Sequence, residues 1–103
     1  MRKNEKEVLD GYVVDIICLR RISPSQYTNQ ASEHSTACAL MDHCVESGYG
    51  LIGENNELKL LDPKATPRIV ALLKQTDKDK GVRLRVEREQ NDQEMTTTKV
   101  SFA

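Results

Sequence analysis

The chain has 103 residues, 38% hydrophobic and 30% charged, enough for one domain around one modest core. Fifteen basic against sixteen acidic side chains leave a net charge of −1, which removes any bulk electrostatic pull toward nucleic acid or an anionic membrane. No apolar run is long enough to span a bilayer, and three cysteines are too few for a disulfide scaffold.

Residues 1–9 are polar and charged, which predicts a loosely attached segment ahead of a single domain over residues 10–103. The start, MRKNEKEVLD, lacks the apolar stretch of a signal peptide, so the chain reads as cytoplasmic or as a mature form. Residues 11–19, GYVVDIICL, are rich in β-branched side chains and predict the first strand. Asp15 interrupts that apolar run and needs a hydrogen-bond donor or a cation. Residues 20–31, RRISPSQYTNQA, have turn chemistry without periodicity and predict a long loop that carries Arg20, Arg21 and Tyr27 toward the next element.

Residues 32–50, SEHSTACALMDHCVESGYG, hold both histidines and two of the three cysteines. They predict a helix that Ser32 caps and Gly48 ends. Ala37, Leu40, Met41, Cys44 and Val45 would form its apolar stripe. Two short strands follow, over 49–53 and 57–61, with Glu54-Asn55-Asn56 as their turn. After a connector over 62–65, Thr66 caps and Pro67 opens a second helix with an apolar face of Ile69, Val70, Leu72 and Leu73. Val82, Leu84 and Val86 alternate with charged residues in a strand. A polar turn over 90–93 leads to a last strand over 95–102, with Thr96, Thr98, Val100 and Phe102 on one face. The order β-α-β-β-α-β-β predicts an α+β fold. Its five mainly antiparallel strands suit a small barrel of the oligonucleotide/oligosaccharide-binding (OB) type. An open sheet with helices on one face is the alternative.

His34 and Cys38, four residues apart, point the same way on a helix. With Cys18 they form a candidate ligand set for zinc or copper, and Asp15 and Cys44 are the additional candidates. The plainer reading makes Cys44 a small core residue and His43 a solvated one. Within one helix Cys38 and Cys44 would lie ~9 Å apart along the axis and point ~120° apart. Any disulfide would therefore pair Cys18 with Cys38 or with Cys44. Cys38 beside His34 also has the form of a nucleophile with its base, but no orienting third group or oxyanion hole accompanies it, so a non-enzymatic role is expected. Asp15 and Asp42 are poorly placed for an acid/base pair. The aromatics Tyr12, Tyr27, Tyr49 and Phe102 are few, and the basic ribbon Arg83, Arg85 and Arg88 is broken by Glu87 and Glu89. Nucleic-acid binding is accordingly disfavoured, and the ribbon reads as a solvated strand face.

Together, GYVVDIIC, HSTACALMDHC, ESGYGLI, LKLLDPKATPRIVALLK and GVRLRV resemble a family of small bacterial domains of unassigned function. The resemblance spans residues ~10–102. The family pattern begins G-x-V-x-D-x-x-C, matched by Gly11, Val13, Asp15 and Cys18, and continues with a histidine before C-A-x-x-C. His34, Cys38 and Ala39 match that second part, whereas the second cysteine is displaced to Cys44. The resemblance implies an exported, extracytoplasmic domain with an OB-like barrel and no established reaction. The chain is expected to be a binding module with a metal or thiol site for an unknown protein or small ligand, monomeric or weakly homo-oligomeric. The alternatives are a structural or protein-interaction domain with core or disulfide cysteines, and an oligonucleotide or oligosaccharide binder.

Overall fold

A computed structural model describes residues 5–91 and 94–103. Strand β1 (Lys6–Asp15) is central in an antiparallel sheet of order β3-β2-β1-β4-β5. Its partners are β2 (Tyr49–Ile52) and β4 (Arg83–Asn91), and β3 (Leu58–Leu60) and β5 (Glu94–Phe102) form the edges. Because side chains alternate along a strand, the register sorts the core into two faces. On one face, Val13 lies opposite Leu51 and Leu84 opposite Gly11, so Val13, Leu51, Leu84 and Val86 pack under Ile69 and Leu73 of helix α5 (Ala65–Gln75). On the other, Val14 and Ile52 pack with Leu19 and Ala31, which come from α1 (Ile16–Leu19) and α2 (Tyr27–Ser32).

The α+β class and the five antiparallel strands are those expected, but the sheet is open, not a barrel, and its helices lie on both faces. The first strand is displaced toward the N-terminus. Lys6 to Leu9 pair with β4, so of the segment 1–9 expected to be loose, residues 6–9 are in the ladder; residues 1–4 lie outside the described residues. Residues 16–19 turn into α1 because Asp15 adopts extended backbone and its side chain accepts from the Cys18 N–H, a helix cap. The expected loop over 20–31 contains a 3-10 turn (Pro24–Gln26) and α2.

The single helix expected over 32–47 is not formed. Residues 33–35 leave helical geometry, α3 (Thr36–Ala39) follows, and Met41 is extended before α4 (Asp42–Ser47) begins. Ser35, not Ser32, caps α3 by accepting from the Cys38 N–H, and the Ser32 hydroxyl donates to the Asn29 carbonyl. Ala39 is buried while Met41 is 48% exposed, so the predicted stripe does not exist as one face. Gly48 does end α4, at φ +85°, where a Cβ would be strained.

Helix α5 starts at Ala65, one residue before the predicted cap Thr66, with the Ala65 N–H donating to the Asp62 carbonyl. Asn56 takes φ +60° in the β2–β3 turn, as the sequence indicates. A bulge between β4 and β5 shifts the register, so that Arg88 lies opposite Thr97. Thr97 is buried where Thr96 and Thr98 were expected to share a face. Within the turn expected over 90–93, residues 92 and 93 lie outside the described residues.

Candidate metal centre

Asp15 is the last residue of β1 and is fully buried. A buried carboxylate is costly unless every oxygen finds a donor. Its Oδ2 accepts from the Cys18 N–H at 3.1 Å, and its Oδ1 lies 2.8 Å from Nε2 of His34. Burial alone would raise its pKa. The His34 hydrogen bond, the Cys18 N–H and the thiols of Cys44 and Cys18 outweigh that and hold the carboxyl at about 2. The carboxylate is therefore ionised, and the Nε2–H of His34 donates to it.

His34 is brought to Asp15 by the same break that divides the predicted helix. The His34 carbonyl accepts from the Gly81 N–H at 3.1 Å, Ser35 bridges to Lys80, and the Thr36 N–H donates to the Asp79 carbonyl at 2.7 Å. These bonds to the segment before β4 replace the helical bonds that residues 33–35 give up. Cys18 is on α1, Cys38 on α3 and Cys44 on α4, and all three are free thiols; the disulfide pairings Cys18–Cys38 and Cys18–Cys44 are not formed. With α3 and α4 separated at Met41, single-helix spacing no longer determines how Cys38 and Cys44 are related.

Two groups of donors result. Donor atoms of Cys18, His34 and Cys38 all lie within 4.8 Å of one another, and so do those of Asp15, Cys18 and Cys44. Cys18 belongs to both. In a tetrahedral zinc site, bonds of about 2.3 Å to sulfur and 2.0 Å to nitrogen put ligand atoms some 3.5–4 Å apart, so the first group needs only a small contraction. Burial, reinforced by hydrogen bonding and charge from Asp15, pushes the Cys18 thiol up to about 12 and the Cys44 thiol to about 11. Both are protonated donors to Asp15 near neutral pH, the opposite of an activated thiolate nucleophile. Nearby, the buried Tyr49 hydroxyl donates to the Ala39 carbonyl at 2.6 Å, fixing the end of α3 against β2. Burial, then the charge of Asp15, raises its pKa to about 12.

The structure thus brings together all five residues singled out from the sequence: Asp15, Cys18, His34, Cys38 and Cys44. It also corrects the expectation that no third group orients the His34 beside Cys38: Asp15 accepts from its Nε2–H at 2.8 Å, a role that the strand pattern did not reveal. His43 is exposed, as expected. The basic ribbon is dispersed: Arg85 pairs with Asp10 at 3.0 Å, Arg83 lies over the Tyr12 ring, and Arg88, beyond the bulge, turns inward to Glu7 and the Leu60 carbonyl. Comparison of the chain with family models, with curated proteins and with solved structures gave no match.

Proposed function

We propose that the protein is a small metal-binding module whose ligands are Cys18, His34 and Cys38, with zinc or cuprous copper as the ion its two thiolates and imidazole suit. One observation carries this reading: three donors from two segments, Cys18 on α1 and His34 and Cys38 at the start of α3, converge within 4.8 Å, and the imidazole among them is already held by a buried carboxylate. With Nε2 on Asp15, Nδ1 is the nitrogen left for an ion, and a carboxylate behind a ligating histidine is the usual way such a ligand is oriented. Cys44 and Asp15 lie behind the triad and are close enough to Cys18 to add a ligand from the buried side. The likeness of residues 11–18 and 34–39 to exported domains supports a place outside the cytoplasm, and the role proposed is binding rather than catalysis.

The test uses the reduced full-length chain with equimolar Zn(II) or Cu(I), followed by native mass spectrometry. One ion is expected per chain, with affinity falling more than roughly 100-fold in Cys38→Ser and in His34→Asn. A reduced, folded chain that retains neither ion would overturn the reading. It would then favour a structural domain whose thiols are core residues, for which the burial of Cys44 speaks.

A further inference from the structure

A cleft of about 320 Å³ opens onto the triad. Its lining includes Cys18, His34 and Cys38 together with Arg21, Gln30 and Glu33. Asp15 and Cys44, both buried, are not part of that lining. The donor cluster therefore has two sides, one facing protein and the other facing a space large enough for a small molecule. Three protein donors with an accessible side is the pattern of a site that keeps one coordination position for an outside ligand.

The charges around the cleft indicate which ligand. Glu33 is already paired, its carboxylate 3.1 Å from Nζ of Lys80. Arg21 is exposed and makes no ion pair among the described residues. Two thiolates balance a divalent ion and the ionised Asp15 carboxylate lies on the buried side, so Arg21 is the charged side chain of the cleft lining that has no ion-pair partner among the described residues. A planar guanidinium pairs with a carboxylate through two parallel N–H···O bonds, and a carboxylate can also spare one oxygen for an ion.

We propose that the cleft admits a small carboxylate as the outside ligand, one oxygen on the ion held by Cys18, His34 and Cys38 and the other on Arg21. This rests on the metal-binding reading above. Gln30, also in the lining, offers an amide able to bond to a longer carboxylic acid.

The test is made on the full chain loaded with cobalt(II), whose visible bands report the ligand set. Acetate is titrated first, then azide as a small anion that a guanidinium does not grip in bidentate fashion. Saturable movement of the bands is expected with both. Arg21→Gln should weaken acetate roughly tenfold and azide much less. Bands that form but move with neither anion would mean that the protein itself fills the fourth position, which overturns the proposal and leaves metal binding standing. An acetate affinity unchanged in Arg21→Gln would also overturn it. A chain that develops no cobalt bands overturns this proposal, and the zinc and copper loading described above then decides the metal-binding reading by itself.

Discussion

Asp15 uses each of its two oxygens for a different element: Oδ2 starts α1 at the Cys18 amide, and Oδ1 holds His34. One carboxylate therefore sets the direction of the chain that carries Cys18 and the orientation of the imidazole opposite. Asp15→Asn keeps one good acceptor and loses the other, together with the charge. The amide oxygen can keep the cap only if the amide N–H faces Nε2 of His34 and the ring proton moves to Nδ1, and loss of the charged bond costs about 1–3 kcal/mol in unfolding free energy, read from the urea midpoint. If the metal reading holds, folded Asp15→Asn should also bind zinc 10–100-fold more weakly, a loss that a purely structural aspartate would not cause. The sequence announced part of this. An acid inside GYVVDIICL had to meet a donor, and Cys18 three residues on was in reach. That the second donor is His34, 19 residues away, depends on tertiary packing and leaves no local trace.

At the level of elements, the chain departs most from its sequence pattern over 32–47, where α3 and α4 replace one helix. Its apolar spacing was real, but a three-residue break costs a few helical hydrogen bonds, and the segment over 79–81 supplies replacements. That exchange depends on Gly81. It sits at φ +64°, and a Cβ there would stand 2.5 Å from the Ser32 carbonyl oxygen. Gly81→Ala should lower stability by about 2 kcal/mol or more, from the left-handed backbone and the clash together. It should also weaken zinc binding, because the Gly81 N–H holds the His34 carbonyl. Gly53→Ala, where the nearest atom is an ordinary 3.7 Å away, is the control and should change zinc affinity little. The β2–β3 turn at Asn56 and the paired strands β4 and β5 were legible because their signals are local: turn chemistry and period-two alternation.

For the whole molecule, the count of strands and the α+β class were legible, and closure was not. The edges β3 and β5 do not pair, yet side chains link the two ends of the sheet. Asp62, two residues beyond β3, accepts from the buried Thr97 of β5 at both the amide (3.0 Å) and the hydroxyl (2.6 Å), while Arg88 of β4 reaches the Leu60 carbonyl. Alternation predicts strands, not whether a last ladder forms; it places Arg88 on the same face as Leu84 and Val86, but the bulge that turns Thr97 inward has no sequence signal of its own. Burial works against ionisation of Asp62, but its bonds from Thr97 prevail and lower its pKa from 3.8. A depressed carboxylate stabilises fully above the unfolded value and loses that contribution as pH falls through the folded one. Wild type should therefore weaken below pH 3.8 partly through this link. Asp62→Ala should be less stable at pH 7 by about 1–3 kcal/mol, leaving Thr97 unsatisfied, and should show a shallower acid limb in a urea series across pH.

The link from Gly81 to His34 also orders events in time. All five residues of the donor cluster lie within the first 44, but the glycine that holds His34 in place follows Cys44 by 37 residues, and β4 comes after it. At a synthesis rate of roughly 5–20 residues per second, the nascent chain carries three bare thiols for some 2–7 s before its scaffold exists. During that interval the cysteines are chemically ordinary, open to any oxidant or soft ion the compartment offers. The raised thiol pKa values and the buried carboxylate belong only to the finished fold, so the surroundings in which the first 44 residues wait influence what the centre contains when β4 completes it.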